Sequence, residues 1–208
     1  MPIADYLFFL PACFALNLAF GPNNLLSVTT GARQGVVAAV LAGGGRLVAF
    51  ALMIAATGLG MGALLAASEI AFTALKYVGA AYLIWLGIRL VRAPAPSSLE
   101  TVAAAPRPVK ALARQEFLVA IGNPKAILIF TAFLPQFVQA DAYAASYTLV
   151  GATFLVLEVG AIGIYAAFGT RLGRLASGGP ALRWFNRASG AMMVGFGLLL
   201  AVARRPGS

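Results

Sequence analysis

The stretch YLFFLPACFALNLAFGPNNLLSVTTGA, residues 6–32, decides how this chain folds. It is uncharged and long enough to cross a bilayer, which takes about 20 apolar residues of helix. Gly21 and Pro22 interrupt it, because proline lacks an N–H and its ring crowds the carbonyl of Leu18. Since Asp5 precedes the stretch and no basic segment does, we predict a broken first span rather than a cleaved signal peptide.

The composition extends this reading to the whole chain. Of 208 residues, 61% are hydrophobic and 10% are charged, whereas about a quarter are charged in soluble domains. There is no histidine and one cysteine, Cys13, which excludes imidazole catalysis, His/Cys metal sites and a disulfide within one chain. No phosphate-binding loop for ATP is present. We expect a polytopic membrane protein that is not an enzyme and needs no cofactor and no metal.

Apolar runs bounded by charged or turn residues predict an all-α fold with six transmembrane helices. The runs cover residues 4–31, 36–61, 69–91, 112–138, 145–171 and 182–203. Residues 93–109 contain four prolines and read as an extended, solvated linker. The predicted organisation is therefore a three-helix unit at 1–92, a cytoplasmic linker at 93–109 and a second three-helix unit at 110–208.

Charges in the loops predict the orientation in the membrane. The second loop, at 62–69, has no basic residue, and the fourth, at 139–146, has only Asp141. The first, third and fifth loops with their flanks hold most of the basic residues: Arg33, Arg89, Arg92, Arg107, Lys110, Arg114, Arg171, Arg174, Arg183 and Arg187. Because basic loops stay in the cytoplasm, both termini should lie outside, although Arg204 and Arg205 oppose this. The halves then have opposite topologies, as in transporters built from two inverted repeats.

The fourth predicted span is broken like the first. Gly122, Asn123, Pro124 and Lys125 interrupt it, as Gly21, Pro22, Asn23 and Asn24 interrupt the first. Freed carbonyls in a membrane need protein, water or a solute as partner. The carbonyls before a break suit an ammonium group, and the helix N-terminus after it suits a carboxylate. The two breaks thus predict a site for a zwitterion such as an amino acid; the alternative is two kinks between packed helices.

Two further charges lie deep in predicted spans, Arg46 in the second and Glu158 in the fifth. Buried charges of this kind face a bundle interior or a wet cavity. One interpretation is a structural ion pair. The other is that Glu158, as the only carboxylate deep enough, exchanges a proton during transport, with Arg46 as its partner or as a contact of the substrate carboxylate. Lys125, beside the second break, is the other candidate for that carboxylate.

At these positions the sequence resembles the LysE/RhtB family of bacterial amino-acid exporters. The similar blocks are Gly21-Pro22-Asn23 with Thr30-Gly31-Ala32-Arg33-Gln34-Gly35, Leu75 to Gly87, and Asn123-Pro124-Lys125 through Phe133-Leu134-Pro135-Gln136-Phe137. The resemblance implies an inner-membrane secondary exporter of amino acids or their derivatives, driven by the proton gradient. Phe20 stands where members usually have the first proline of Pro-Gly-Pro, so the first break could be milder. Arg46 is unusual for the family and, as a fixed cation, should favour neutral over basic substrates.

The expected partners follow from this reading. They are an amino-acid substrate, protons and membrane lipid, and faces of small residues permit a homodimer. The net charge of +9 does not indicate a nucleic-acid partner, because the basic residues are dispersed between apolar segments. Two alternatives stay open: a transporter or channel for a solute that is not an amino acid, and a membrane assembly protein without transport activity.

Overall fold

The described part of the protein is helical. The structure, a computed structural model, describes residues 3–67 and 106–174 continuously and a set of single positions: 77, 80, 81, 84, 85, 88, 89, 91, 92, 187, 191, 194, 195, 198 and 201. The two continuous stretches form five α-helices, at Ile3–Leu18 (α1), Pro22–Ala67 (α2), Val109–Ile121 (α3), Pro124–Leu128 (α4) and Tyr143–Arg174 (α5). A π-helical turn, Ile129–Phe133, and a 3-10 turn, Leu134–Phe137, extend α4. No strand occurs in these stretches.

Both predicted helix breaks are present. Helix α1 ends at Leu18 and α2 begins at Pro22, while α3 ends at Ile121 and α4 begins at Pro124. Proline suits the first helical position, because its missing N–H would have no partner there. At the second break the chain bends by 57° between Val109–Ile121 and Lys125–Phe137. The presence of phenylalanine rather than proline at position 20 therefore does not prevent a helix break in the first half.

Helix α2 turns back on itself at Gly35. The φ of 84° and ψ of 173° of this residue are non-helical and favour glycine. Residues 24 and 46 would lie about 33 Å apart in a straight helix, yet the Arg46 guanidinium donates to the Asn24 side chain across 3.0 Å. Residues 22–34 and 36–67 are thus two packed segments of opposite direction, in agreement with the predicted loop around Arg33.

Only some of the six predicted transmembrane helices can be compared with the described helices. By length and hydropathy, two helical stretches could cross a bilayer: Pro22–Gly60, which the turn at Gly35 divides, and Tyr143–Arg171. The bent pair Val109–Ile121 with Lys125–Phe137 makes a third if it counts as one span. Most of the predicted third and sixth spans, 69–91 and 182–203, and most of the linker lie outside the described residues.

Close backbone contacts hold α2 against its neighbours. A Cβ on Gly31 would lie 2.2 Å from the Ala166 carbonyl oxygen of α5, and one on Gly45 would lie 1.9 Å from the carbonyl oxygen of Ala113 in α3. Only glycine permits such approaches. Phenylalanines fill the space deeper in the bundle, where the rings of Phe50, Phe130 and Phe154 pack edge to face with centroids 5.0–5.8 Å apart.

We predict that Gly45→Ala destabilises the protein and that Gly44→Ala does not. The Gly45 methyl group would collide with the α3 backbone, and such overpacking costs about 1–3 kcal/mol. A Cβ on Gly44 meets nothing within 4 Å, which makes this neighbour the matched control. Thermal unfolding in detergent, followed by size-exclusion chromatography, measures both variants. Equal melting temperatures would contradict the close approach of α2 and α3.

Candidate functional site

The two helix breaks meet each other inside the bundle. The Asn123 amide Nδ2 donates to Asn23 Oδ1 across 3.0 Å, and Lys125 Nζ donates to the Ala19 carbonyl across 2.7 Å. Asn23 and Asn123 are buried, at 3% and 4% exposure. Each break therefore supplies polar groups to the other, although they lie 100 residues apart in the chain.

Carbonyls that lose their helical partners at the breaks find side-chain or local donors. The Leu18 carbonyl accepts from the Tyr165 hydroxyl at 2.6 Å, and the Ala120 carbonyl accepts from the Asn123 backbone N–H at 3.1 Å. The Ala19 carbonyl accepts from Asn24 Nδ2 at 2.9 Å in addition to the Lys125 ammonium. The ammonium group that binds a carbonyl at the first break is therefore that of Lys125, a side chain of the protein itself.

Asn123 also stabilises the helix that follows it. Its Oδ1 accepts from the Lys125 backbone N–H at 3.0 Å, so it caps α4. Asn24 has a comparable double role at the first break, because its Nδ2 donates to the carbonyls of Asn17 and Ala19 while its Oδ1 accepts from Arg46. The predicted site asparagines thus fix the broken backbone as well as each other.

Arg46 is the centre of the buried polar network. It is fully buried, and all three of its guanidinium nitrogens donate hydrogen bonds. Nε and Nη2 bind the two carboxylate oxygens of Glu116, each across 3.0 Å. Nη1 binds Glu158 across 2.7 Å. Nη2 also donates to Ser27 Oγ at 2.7 Å and to the Asn23 carbonyl.

Glu116 is a second deep carboxylate, so the prediction that Glu158 alone lies deep enough was wrong. The exposure of Glu116 is 2% and that of Glu158 is 4%. Glu116 was missed because Lys110, Arg114 and Gln115 mark its neighbourhood as a loop flank. Its spacing was the available signal, since it lies four residues after Leu112 and four before Ala120, on the one buried face of α3.

The contacts of Arg46 bear on the argument that, as a fixed cation, it would disfavour basic substrates. Two carboxylates contact it, and Lys125 supplies a second cation nearby. With all four groups ionised, the formal charges of Arg46, Lys125, Glu116 and Glu158 sum to zero. Repulsion by Arg46 therefore gives no reason to exclude basic substrates.

A small cavity lies between the two breaks. Polar groups of Asn23, Asn24, Asn123, Lys125 and Glu158 line it, together with Gly21 and four apolar residues, Phe50, Ala126, Ile129 and Phe154. Its volume of about 10 Å³ is near the minimum for one water molecule. All the predicted site residues except Pro22, Pro124 and Arg46 thus line this one cavity. Arg46 lies directly behind Glu158 and Asn24.

Within the described ranges, no three His, Cys, Asp or Glu side chains come together in a group that could hold a metal ion. The polar groups at the cavity are amides, one ammonium and one carboxylate, with the guanidinium behind them. This set can bind a zwitterion and can accept or release a proton at a carboxylate.

Comparison with known proteins assigns the family. The family model described as LysE type translocator matches residues 14–204. The chain belongs to the LysE family of translocators. This membership confirms the resemblance carried by the helix-break sequences, and it makes the chain a membrane transporter of the efflux type.

Relatives of this LysE family member include efflux proteins with named substrates. An uncharacterized membrane protein of Vibrio cholerae is 32% identical over 98% of this chain and 100% of its own length. The homoserine/homoserine lactone efflux protein of Salmonella typhimurium is 33% identical over 91% of this chain and 92% of its own. The leucine efflux protein of Enterobacter sp. is 28% identical over 74% of this chain and 71% of its own. No solved structure matches the chain.

We predict that Arg46→Gln strongly destabilises the protein, because Glu116 and Glu158 would be left as buried carboxylates without their cation. Breaking a buried pair from one side costs about 3–5 kcal/mol. Arg107→Gln is the matched control, since Arg107 is exposed and donates to Gln115 at the surface. Thermal unfolding in detergent measures both. Equal melting temperatures for the two variants would contradict the central place of Arg46.

Proposed function

We propose that this LysE family member exports amino acids, or their close derivatives, from the cytoplasm in exchange for protons. The observation that carries the proposal is the contact between the two helix breaks beside a buried carboxylate. Broken helices that meet near the middle of a membrane protein are where secondary transporters bind small charged solutes. The relatives named as efflux proteins for homoserine, homoserine lactone and leucine support the substrate class.

The substrate would bind where the small cavity now lies. Its ammonium group would take the place of the Lys125 ammonium at the Ala19 carbonyl, next to the Glu158 carboxylate. Lys125 would then be free to contact the substrate carboxylate, with Arg46 as a second cation behind Asn24 and Glu158. Asn23, Asn24 and Asn123 would orient both groups, and Gly21, Pro22 and Pro124 would keep the backbone open there.

Binding requires the two breaks to separate. A cavity of about 10 Å³ holds about one water, whereas even the smallest amino acid needs several times that volume. The hydrogen bonds between Asn23 and Asn123 and between Lys125 and Ala19 join the two halves of the chain. Rocking of one half against the other would break these bonds and open the site to one side of the membrane.

Glu158 would carry the proton. It lines the cavity, and its one hydrogen bond among the described residues comes from Arg46 Nη1. In this proposal Glu158 takes up a proton when the site opens to the outside and releases it when the site opens to the inside. The alternative of a purely structural ion pair remains the competing explanation for its burial.

We favour amino acids with uncharged side chains as substrates. The reason is the balance of charge rather than repulsion by Arg46. The formal charges of the four ionised groups around the site sum to zero, so no net charge is left to offset a charged side chain of the substrate. Homoserine and leucine, the compounds in the names of two relatives, have uncharged side chains. A solute other than an amino acid stays the alternative substrate.

The membrane arrangement belongs to the same proposal. We infer six spans in two inverted three-helix halves, residues 1–92 and 110–208, in the bacterial inner membrane with both termini outside. Contacts across the breaks support a pairing of the halves. Surrounding lipid and a second copy of the chain are the expected neighbours in the membrane.

We predict that Glu158→Gln abolishes transport driven by a pH gradient. The amide cannot exchange a proton, yet it keeps an oxygen that accepts from Arg46. Purified protein in liposomes with an imposed pH gradient and labelled leucine or homoserine gives the flux, which should fall to that of protein-free liposomes. Asp141→Asn, which removes an exposed carboxylate, is the matched control and should transport normally. Wild-type flux through folded Glu158→Gln would refute proton exchange at this residue.

We further predict that the wild-type protein transports neutral amino acids in preference to lysine, arginine, aspartate and glutamate. Competition assays in the same liposomes test this, with each unlabelled compound added in excess over labelled leucine or homoserine. Neutral compounds should lower the labelled flux and charged ones should leave it unchanged. Inhibition by lysine as strong as that by leucine would contradict selection by charge balance.

A further inference from the structure

The two carboxylates that bind Arg46 are held in different ways. Glu116 accepts from both Nε and Nη2 of Arg46, and its Oε2 also accepts from Asn23 Nδ2 across 2.9 Å. Paired parallel bonds between a guanidinium and a carboxylate are the strongest form of this contact. Glu158 accepts a single hydrogen bond from Nη1. The interaction with Glu116 therefore fixes the plane of the guanidinium, and the one with Glu158 does not.

The two carboxylates also differ in their surroundings. Glu158 borders the small cavity, and Glu116 does not. Among the described helices, charged or titratable groups interact with Glu158 from its own helix and from the four others: Tyr165 of α5, Cys13 of α1, Arg46 of α2, Glu116 of α3 and Lys125 of α4. Arg46 is the group that contacts it directly, so any change in the charge of Glu158 acts first on Arg46.

A single carboxylate would create a physical difficulty for transport. If Glu158 were the sole partner of Arg46, its protonation would leave a fully buried guanidinium without a counter-charge, which is among the most destabilising arrangements in a protein. With Glu116 in place, Arg46 keeps one carboxylate in both protonation states of Glu158. The net charge of the three groups then alternates between −1 and zero, and never reaches +1.

We propose that Glu116 is a positioning residue that holds Arg46 throughout the transport cycle, so that Glu158 alone exchanges the proton. The inference rests on the proton-coupled export proposed above. It assigns a role to a residue that the sequence did not single out, and it explains why a proton-exchanging carboxylate is accompanied by a second one that does not face the substrate.

The small number of glutamates makes a direct test practicable. The chain contains four: Glu69, Glu100, Glu116 and Glu158. Glutamate labelled with ¹³C at the side-chain carboxyl gives four NMR signals in the full-length protein in lipid, and each moves when its carboxylate is protonated. Glutamine variants assign them, and if Glu116→Gln fails to fold, replacement of the other three identifies its signal by elimination.

We expect the Glu158 signal to titrate reversibly, while the Glu116 signal keeps its carboxylate position at every pH at which the protein stays folded. In Glu116→Gln, Glu158 becomes the one remaining counter-charge of Arg46 among the described residues. The Glu158 signal should therefore stay at its carboxylate position down to a lower pH than in the wild type. In Glu116→Asp, which keeps the charge, the Glu158 titration should stay close to that of the wild type. A Glu116 that carries no charge at these pH values would leave this titration unshifted in both variants.

Titration of Glu116 together with Glu158, or before it, would overturn the proposal. So would a Glu158 titration that Glu116→Gln leaves unchanged. These readouts need neither substrate nor flux. Absence of amino-acid transport by the wild-type protein would therefore refute the proposed function, whereas a wrong division of roles between the glutamates would be seen in the spectra.

Discussion

A fully buried arginine with two carboxylate partners is the interaction on which the rest of this structure depends. Arg46 binds Glu116 and Glu158, and its hydrogen bonds also reach Asn23 and Asn24 at the first helix break. The cost of burying a guanidinium is offset only when every donor has an acceptor. Helices α2, α3 and α5 are therefore held in one relative arrangement by the need to satisfy a single side chain.

The helix breaks add a second constraint of the same kind. Backbone groups that lose their helical partners inside a membrane need other partners, and here the Leu18 and Ala19 carbonyls of the first break obtain them from the second half of the chain, through Tyr165 and Lys125. These contacts are strong enough to close the site, yet they consist of a few exchangeable hydrogen bonds. In the proposed function, a substrate with an ammonium and a carboxylate would replace them group by group, so the same groups would close the empty site and bind the substrate.

Local signals in the sequence were sufficient for much of this description. Pro22 and Pro124 act on their own backbone, so the two breaks could be predicted without knowledge of packing. The end of the apolar run near Arg33 likewise predicted the loop that the structure places at Gly35. The partners of Arg46 could not, because the choice between Glu116 and Glu158 depends on which faces of α3 and α5 turn inward. The sequence also suggested free carbonyls at the breaks, and only the three-dimensional arrangement shows that the protein's own side chains occupy them.

The separation of Arg46 from its partners along the chain has a consequence for biosynthesis. Glu116 and Glu158 follow it by 70 and 112 residues, so the ribosome delivers the cation to the membrane well before either anion exists. Insertion of an arginine at the centre of a helix costs about 2.5–3.5 kcal/mol, and the apolar residues around it must supply this. Arg46 therefore reaches the bilayer without its carboxylate partners, and its full set of contacts can form only when α5 has been translated.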